Sequence, residues 1–171
     1  MNWEIVGSTG EWAGAIAVVV TLFYLARQIQ QNTHATRATS HHAITDALNE
    51  LNYTLATNDS AALIWQSGMK DRGALDDLQR EQYDALVRAY LHVCDTMYYQ
   101  AQVGAGDHGL WQAEQRYVAI ALTTQGGSQW WQENHQSVSS DFRGAVEVII
   151  QGHSTESDET DALAERWSRS E

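Results

Sequence analysis

The chain reads as all-α: an N-terminal transmembrane helix that continues as a long stalk helix, followed by a small antiparallel helical bundle. Three observations predict this. None of the 171 residues is proline, where average usage near 5% would supply about eight or nine, and helix interiors tolerate proline least. Residues 5–26, IVGSTGEWAGAIAVVVTLFYLA, form an apolar run with a single charge, Glu11. Beyond that run, apolar residues recur three and four apart between polar and glycine-containing turns, as helices with a buried face require.

Residues 1–4 form a short segment before the span. At about 1.5 Å rise per residue, residues 5–26 reach roughly 33 Å, against a hydrocarbon core of about 30 Å. A cleaved signal peptide would open on a basic region and end in a small-x-small site, and neither is present. Glu4 precedes the span with no Lys or Arg, whereas Arg27 and Arg37 follow it closely. By the positive-inside rule the N-terminus lies outside and residues 27–171 lie in the cytoplasm, which makes the inner (cytoplasmic) membrane the expected location.

Residues 27–38, RQIQQNTHATRA, contain no Gly or Pro to stop the helix at the interface. Ile44, Leu48, Leu51 and Leu55 then follow at spacings of four, three and four, so a stalk helix over 27–57 is expected. Unbroken, the first helix would measure roughly 75 Å.

A cytoplasmic bundle is expected over 58–152. Asn58, Asp59 and Ser60 can cap a short helix through Leu63, Ile64 and Trp65 that ends near Gly68. After a turn at Gly73 comes the strongest helix, Asp76 to Gln102. One of its faces carries Leu86, Tyr90, Val93 and Met97, the other Tyr83, Val87, Leu91, Cys94 and Tyr98. GAGDHG at 104–109 is a turn in which Asp107 caps a helix bearing Leu110, Trp111, Tyr117, Val118, Ala121 and Leu122. Gly126 and Gly127 are read as its end. Ser128 then caps a helix with Trp130 and Trp131, and Ser139 or Ser140 one carrying Phe142, Ala145, Val146, Ile149 and Ile150 until Gly152 stops it. Residues 153–171 hold six acidic residues and two arginines and read as a flexible acidic tail.

The formal charge is −12, of which −10 remains for residues 27–171 once Glu4 and Glu11 are removed. Such a surface repels nucleic acid, which is excluded as a partner. The single cysteine, Cys94, cannot form an internal disulfide and suits a reducing compartment.

Several residues are candidates for a site. Gly7, Gly10, Gly14, Ala17 and Thr21 fall three or four apart and form a stripe on which two helices can approach closely in lipid. Glu11 borders that stripe. It either lines a cation or proton path in an oligomer, or is a carboxylic acid hydrogen-bonded to Ser8 or to a neighbouring helix. Arg88, His92 and Asp95 stand one turn apart on the central helix, and a buried polar network there outweighs acid–base catalysis. His42 and Asp46 lie four apart, yet two ligands do not make a metal site. Cys94 on an apolar face reads as a core thiol, and Trp111, Trp130 and Trp131 as core rather than a ligand cage. With no nucleophile motif or phosphate loop, no catalytic residue, metal or cofactor is expected, and the chain is not read as an enzyme.

The opening WEIVGSTGE at 3–11, GAIAVVVTLFYLARQI at 14–29 with Asn32, and later Tyr98-Tyr99, Leu110-Trp111 and GGSQWW at 126–131 resemble a group of uncharacterised bacterial proteins. These share an N-terminal membrane helix and a helical cytoplasmic domain, and the resemblance covers about residues 3–150. It implies that topology and no activity. The function expected is that of a single-pass membrane protein that self-associates through its transmembrane helix and presents a cytoplasmic helical interaction domain. Membrane lipid, further copies of the chain and a protein would be its partners. The alternative is a homo-oligomeric ion-conducting assembly with Glu11 lining the pore.

Overall fold

A computed structural model describes the backbone of residues 3–168 and the side chains of residues 17–155. Six α-helices account for nearly all of it: α1 (Trp3–Thr57), α2 (Asp59–Lys70), α3 (Asp77–Gln102), α4 (His108–Thr123), α5 (Gln125–Asn134) and α6 (Ser140–Ser168), with single 3-10 turns at Arg72–Ala74 and His135–Ser137. There is no strand among the described residues, so the all-helical class holds. The chain divides into two compact units, Met1–Thr39 and Ser40–Glu171.

The first unit is helical from Trp3 onward. Gly7, Gly10, Glu11 and Gly14 belong to α1, but their side chains lie outside the described residues. Among the described residues no helix is long and apolar enough to cross a membrane. The span expected over 5–26 falls partly on residues 5–16, whose side chains are likewise outside the described set.

The second unit starts within α1, and so takes in residues that the sequence reading assigns to the stalk. Ile44 is buried, and Leu48 and Leu51 pack against the same core. The helices that follow start on caps legible in the chain. Asn58 accepts from the Ala61 amide. Asp76 and Gln79 form a reciprocal capping box at α3. Asp107 accepts from the Gly109 amide at α4. In each case a short polar side chain satisfies an amide that has no partner in the first helical turn.

Helix α3 is the hub, packed against α2 and α4, while α4 also packs against α5 and α6. Its most buried face carries Tyr83, Val87, Leu91, Cys94 and Met97, all essentially solvent-free, whereas Leu86 and Val93 are only half-buried. Tyr98, Trp111 and Phe142 join α3, α4 and α6, with ring centroids 5.5–5.9 Å apart. All three of Trp111, Trp130 and Trp131 are buried.

Glycines account for the departures from expectation. Helix α2 ends at Lys70, near Gly68 as expected, but Gly68 itself is the point where the Tyr83 ring lies on the helix. Gly126 and Gly127 do not end α4. Thr124 already caps α5 through the Gly127 amide, and both glycines sit in the first turn of that helix. A Cβ at Gly126 would overlap the Gly68 carbonyl, and one at Gly127 the Ala121 carbonyl. Nor does Gly152 stop α6, which continues to Ser168 through most of the segment read as a tail. The stop that uses left-handed backbone is Gly104 (φ 69°), after which the amides of Ala105 and Gly106 both return to the Gln100 carbonyl.

Candidate functional site

A cleft of about 620 Å³ in the second unit is lined by the 40–57 part of α1 and by helices α2, α3 and α4. Leu48, Leu51 and Leu55 bring the apolar stripe of α1 to one wall, with Asn52 beside them. Trp65 and Met69 of α2 and Tyr90 of α3 also line it. Helix α4 contributes Glu114, Tyr117 and Ala121, which follow at spacings of three and four and so share one face, and Thr124 lies just beyond its end.

One polar pair is built into these walls. The Tyr90 hydroxyl donates to Glu114 Oε1 at 2.6 Å, a charge-assisted bond that fixes the carboxylate against the cleft. Tyr90 is 8% exposed. Burial first, and then the neighbouring Cys94 and the Glu114 carboxylate, push its phenol well above the ordinary tyrosine range, so it stays a donor. Trp65 stands edge-on to Tyr90, at 86° with centroids 6.4 Å apart. The Thr124 hydroxyl, which also lines the cleft, is occupied by the Ala121 carbonyl and the Gly127 amide. No Lys, Arg or His lines the cleft, and none pairs with Glu114 among the described residues.

Sequence reasoning places Tyr90 in the core and passes over Glu114. The signal is nonetheless there: an acidic side chain on an otherwise apolar stripe with Leu110, Tyr117 and Ala121.

The expected network on α3 takes a different form. Arg88 and His92 are exposed and Asp95 is half-buried, because the helix turns this side away from the α3 hub contacts. His92 and Asp95 do not meet each other; both reach the corner ahead of α6. His92 Nε2 donates to the Ser137 carbonyl at 3.0 Å. Asp95 accepts from the Ser139 amide at 2.8 Å and its hydroxyl at 2.6 Å, and that hydroxyl in turn accepts from the Phe142 amide at 3.3 Å. The arrangement anchors a helix cap, and Arg88 takes no part in it.

Cys94 is fully buried, and burial pushes its thiol well above the usual range, the opposite of what a nucleophile needs. His41 and His42 stand edge-to-face at 6.2 Å, and no group of three metal-ligating side chains occurs among the described residues. A stronger charged centre lies at the turn after α2. The Arg72 guanidinium forks onto Asp84 at 2.7 and 2.8 Å and reaches Glu133 at 2.8 Å, tying the turn after α2 to α3 and α5. No family profile, curated protein or solved structure matches this chain.

Proposed function

We propose that this chain is a single-pass membrane protein of the cytoplasmic membrane. Its N-terminal helix self-associates along Gly7, Gly10, Gly14 and Ala17, and it presents the helical unit 40–171 on the cytoplasmic side as a binding module. The observation that supports this reading best is the surface of α1 between Val18 and Leu25. Val18, Val19, Val20, Leu22, Phe23, Tyr24 and Leu25 are all 46–74% exposed. At about 100° per residue such a run circles the helix more than once. A helix apolar on every side is stable when something apolar surrounds it, and lipid does so without specific partners. The Thr21 hydroxyl within the run donates to the Ala17 carbonyl at 2.8 Å, which satisfies it where no water is available.

The test is alkaline carbonate extraction of membranes from cells expressing the full chain, followed by native mass measurement in nanodiscs. Retention in the membrane pellet with a mass of two or more copies is the expected result. Release into the supernatant would overturn the membrane reading, and a strict monomer would overturn self-association. Exchange of Gly10 and Gly14 for Leu is expected to shift the mass to one copy.

A further inference from the structure

We propose that the cleft between α1, α2, α3 and α4 binds a small amphipathic organic cation: an ammonium group on an apolar body of aromatic or branched hydrocarbon. Volume, charge and orientation each argue for this occupant. About 620 Å³ falls in the range of small-molecule sites, roughly 300–1,000 Å³, which are mainly apolar with a few placed polar groups. Leu48, Leu51, Met69 and Ile120 supply the apolar wall. The only carboxylate of the cleft is Glu114, and no cationic side chain lines the walls to neutralise it or to receive an anion. A ligand that puts an ammonium there meets an unpaired acid, whereas a carboxylate or phosphate meets only repulsion, reinforced by the chain's −12.

Orientation comes from Tyr90. Its buried hydroxyl takes Glu114 Oε1, while Oε2 accepts no hydrogen bond among the described residues. The carboxylate is thereby preorganised with one oxygen committed and one available. Trp65, Tyr90 and Tyr117 line the same cleft, and aromatic surroundings favour a cation over a neutral group of equal shape. A lone carboxylate is too little for a metal ion, which needs several such ligands, so the cation is organic. The site involves residues 48–124 alone and does not depend on the membrane reading.

The test uses the full chain in zwitterionic nanodiscs, titrated calorimetrically with phenylbutylammonium, phenylbutanol and phenylbutyrate, with empty nanodiscs subtracted for partitioning. The ammonium is expected to bind saturably and about tenfold or more tighter than the alcohol, a gap of about 1.4 kcal/mol, and phenylbutyrate is expected not to compete. Glu114→Gln retains an acceptor for the Tyr90 hydroxyl and is expected to bring the ammonium down to the level of the alcohol. Leu51→Trp fills the apolar end and is expected to abolish binding of both. The proposal is overturned if ammonium and alcohol bind alike, if their difference survives Glu114→Gln, if Leu51→Trp leaves binding intact, or if the ammonium gives no saturable signal up to its solubility. The comparison of the three probes on the unaltered protein decides the matter even if a variant fails to fold.

Discussion

The carbonyl of Gly68 occupies the space that a side chain on Gly126 would need, so helices α2 and α5 meet backbone to backbone. Neither residue serves a turn there. Their shared lack of a Cβ sets the distance between two helices, and the Tyr83 ring lies over Gly68 from α3, so three elements converge on one small-residue contact.

Exchange of Gly126 for Ala is therefore expected to destabilise the second unit by about 3 kcal/mol or more, since backbone cannot yield as a flexible side chain can. Gly144 and Gly152 also lie in helices, yet a Cβ at either meets nothing within 4 Å. Exchange to Ala at these two is expected to stabilise by about 0.5–1 kcal/mol each. Denaturant unfolding followed by far-UV circular dichroism distinguishes the two outcomes.

Arg72 binds Asp84 through two parallel hydrogen bonds, and the side chains are 10% and 17% exposed. Arg72→Met strands the Asp84 carboxylate and is expected to cost about 3 kcal/mol. The double variant Arg72→Met/Asp84→Leu is expected to recover most of that loss. Glu133, at 64% exposure, is expected to matter little: Glu133→Gln should change stability by less than about 1 kcal/mol.

Asp95 holds the α6 cap through the Ser139 amide and hydroxyl. Asp95→Ala is expected to cost about 1–2 kcal/mol. Hydrogen exchange in the first turn of α6 should rise with it, including the amides of Phe142 and Arg143 that bond to Ser139. If protection there is unchanged, the clamp does not hold the helix end.

Burial pushes the Tyr83 phenol up to about 12. The native state therefore keeps this proton where the unfolded chain, near the ordinary value of about 10, releases it. The stability it supports is complete below pH about 10 and is lost as pH rises from about 10 through about 12. Tyr83→Phe keeps the ring over Gly68 and is expected to flatten that limb of the curve of denaturation midpoint against pH. An unaltered slope would mean that other groups control it.

The parts of this fold that were legible in the chain are those decided locally. Asn58 and Asp107 are readable as caps because the amide each one satisfies lies two or three residues along. The two faces of α3 were readable from spacing, but not which is deeper, because burial of Val87 and Leu91 over Leu86 depends on where α2, α4 and α6 stand. Gly126 and Gly127 read as a stop in the sequence because a glycine that ends a helix and one that admits a neighbouring backbone look alike until the neighbour is known. The role of Glu114 is hidden in the sequence for the same reason. Its meaning comes from Tyr90, 24 residues earlier on another helix, and no local pattern links the two.

Cys94 has no exposed surface, and the chain has no other thiol. A cysteine introduced at an exposed helical position such as Tyr99 or Val148 would then be the sole sulfur that a maleimide reaches before unfolding. Spin labels and fluorophores can thus be placed one at a time on the native sequence, with no cysteine-free background to engineer first.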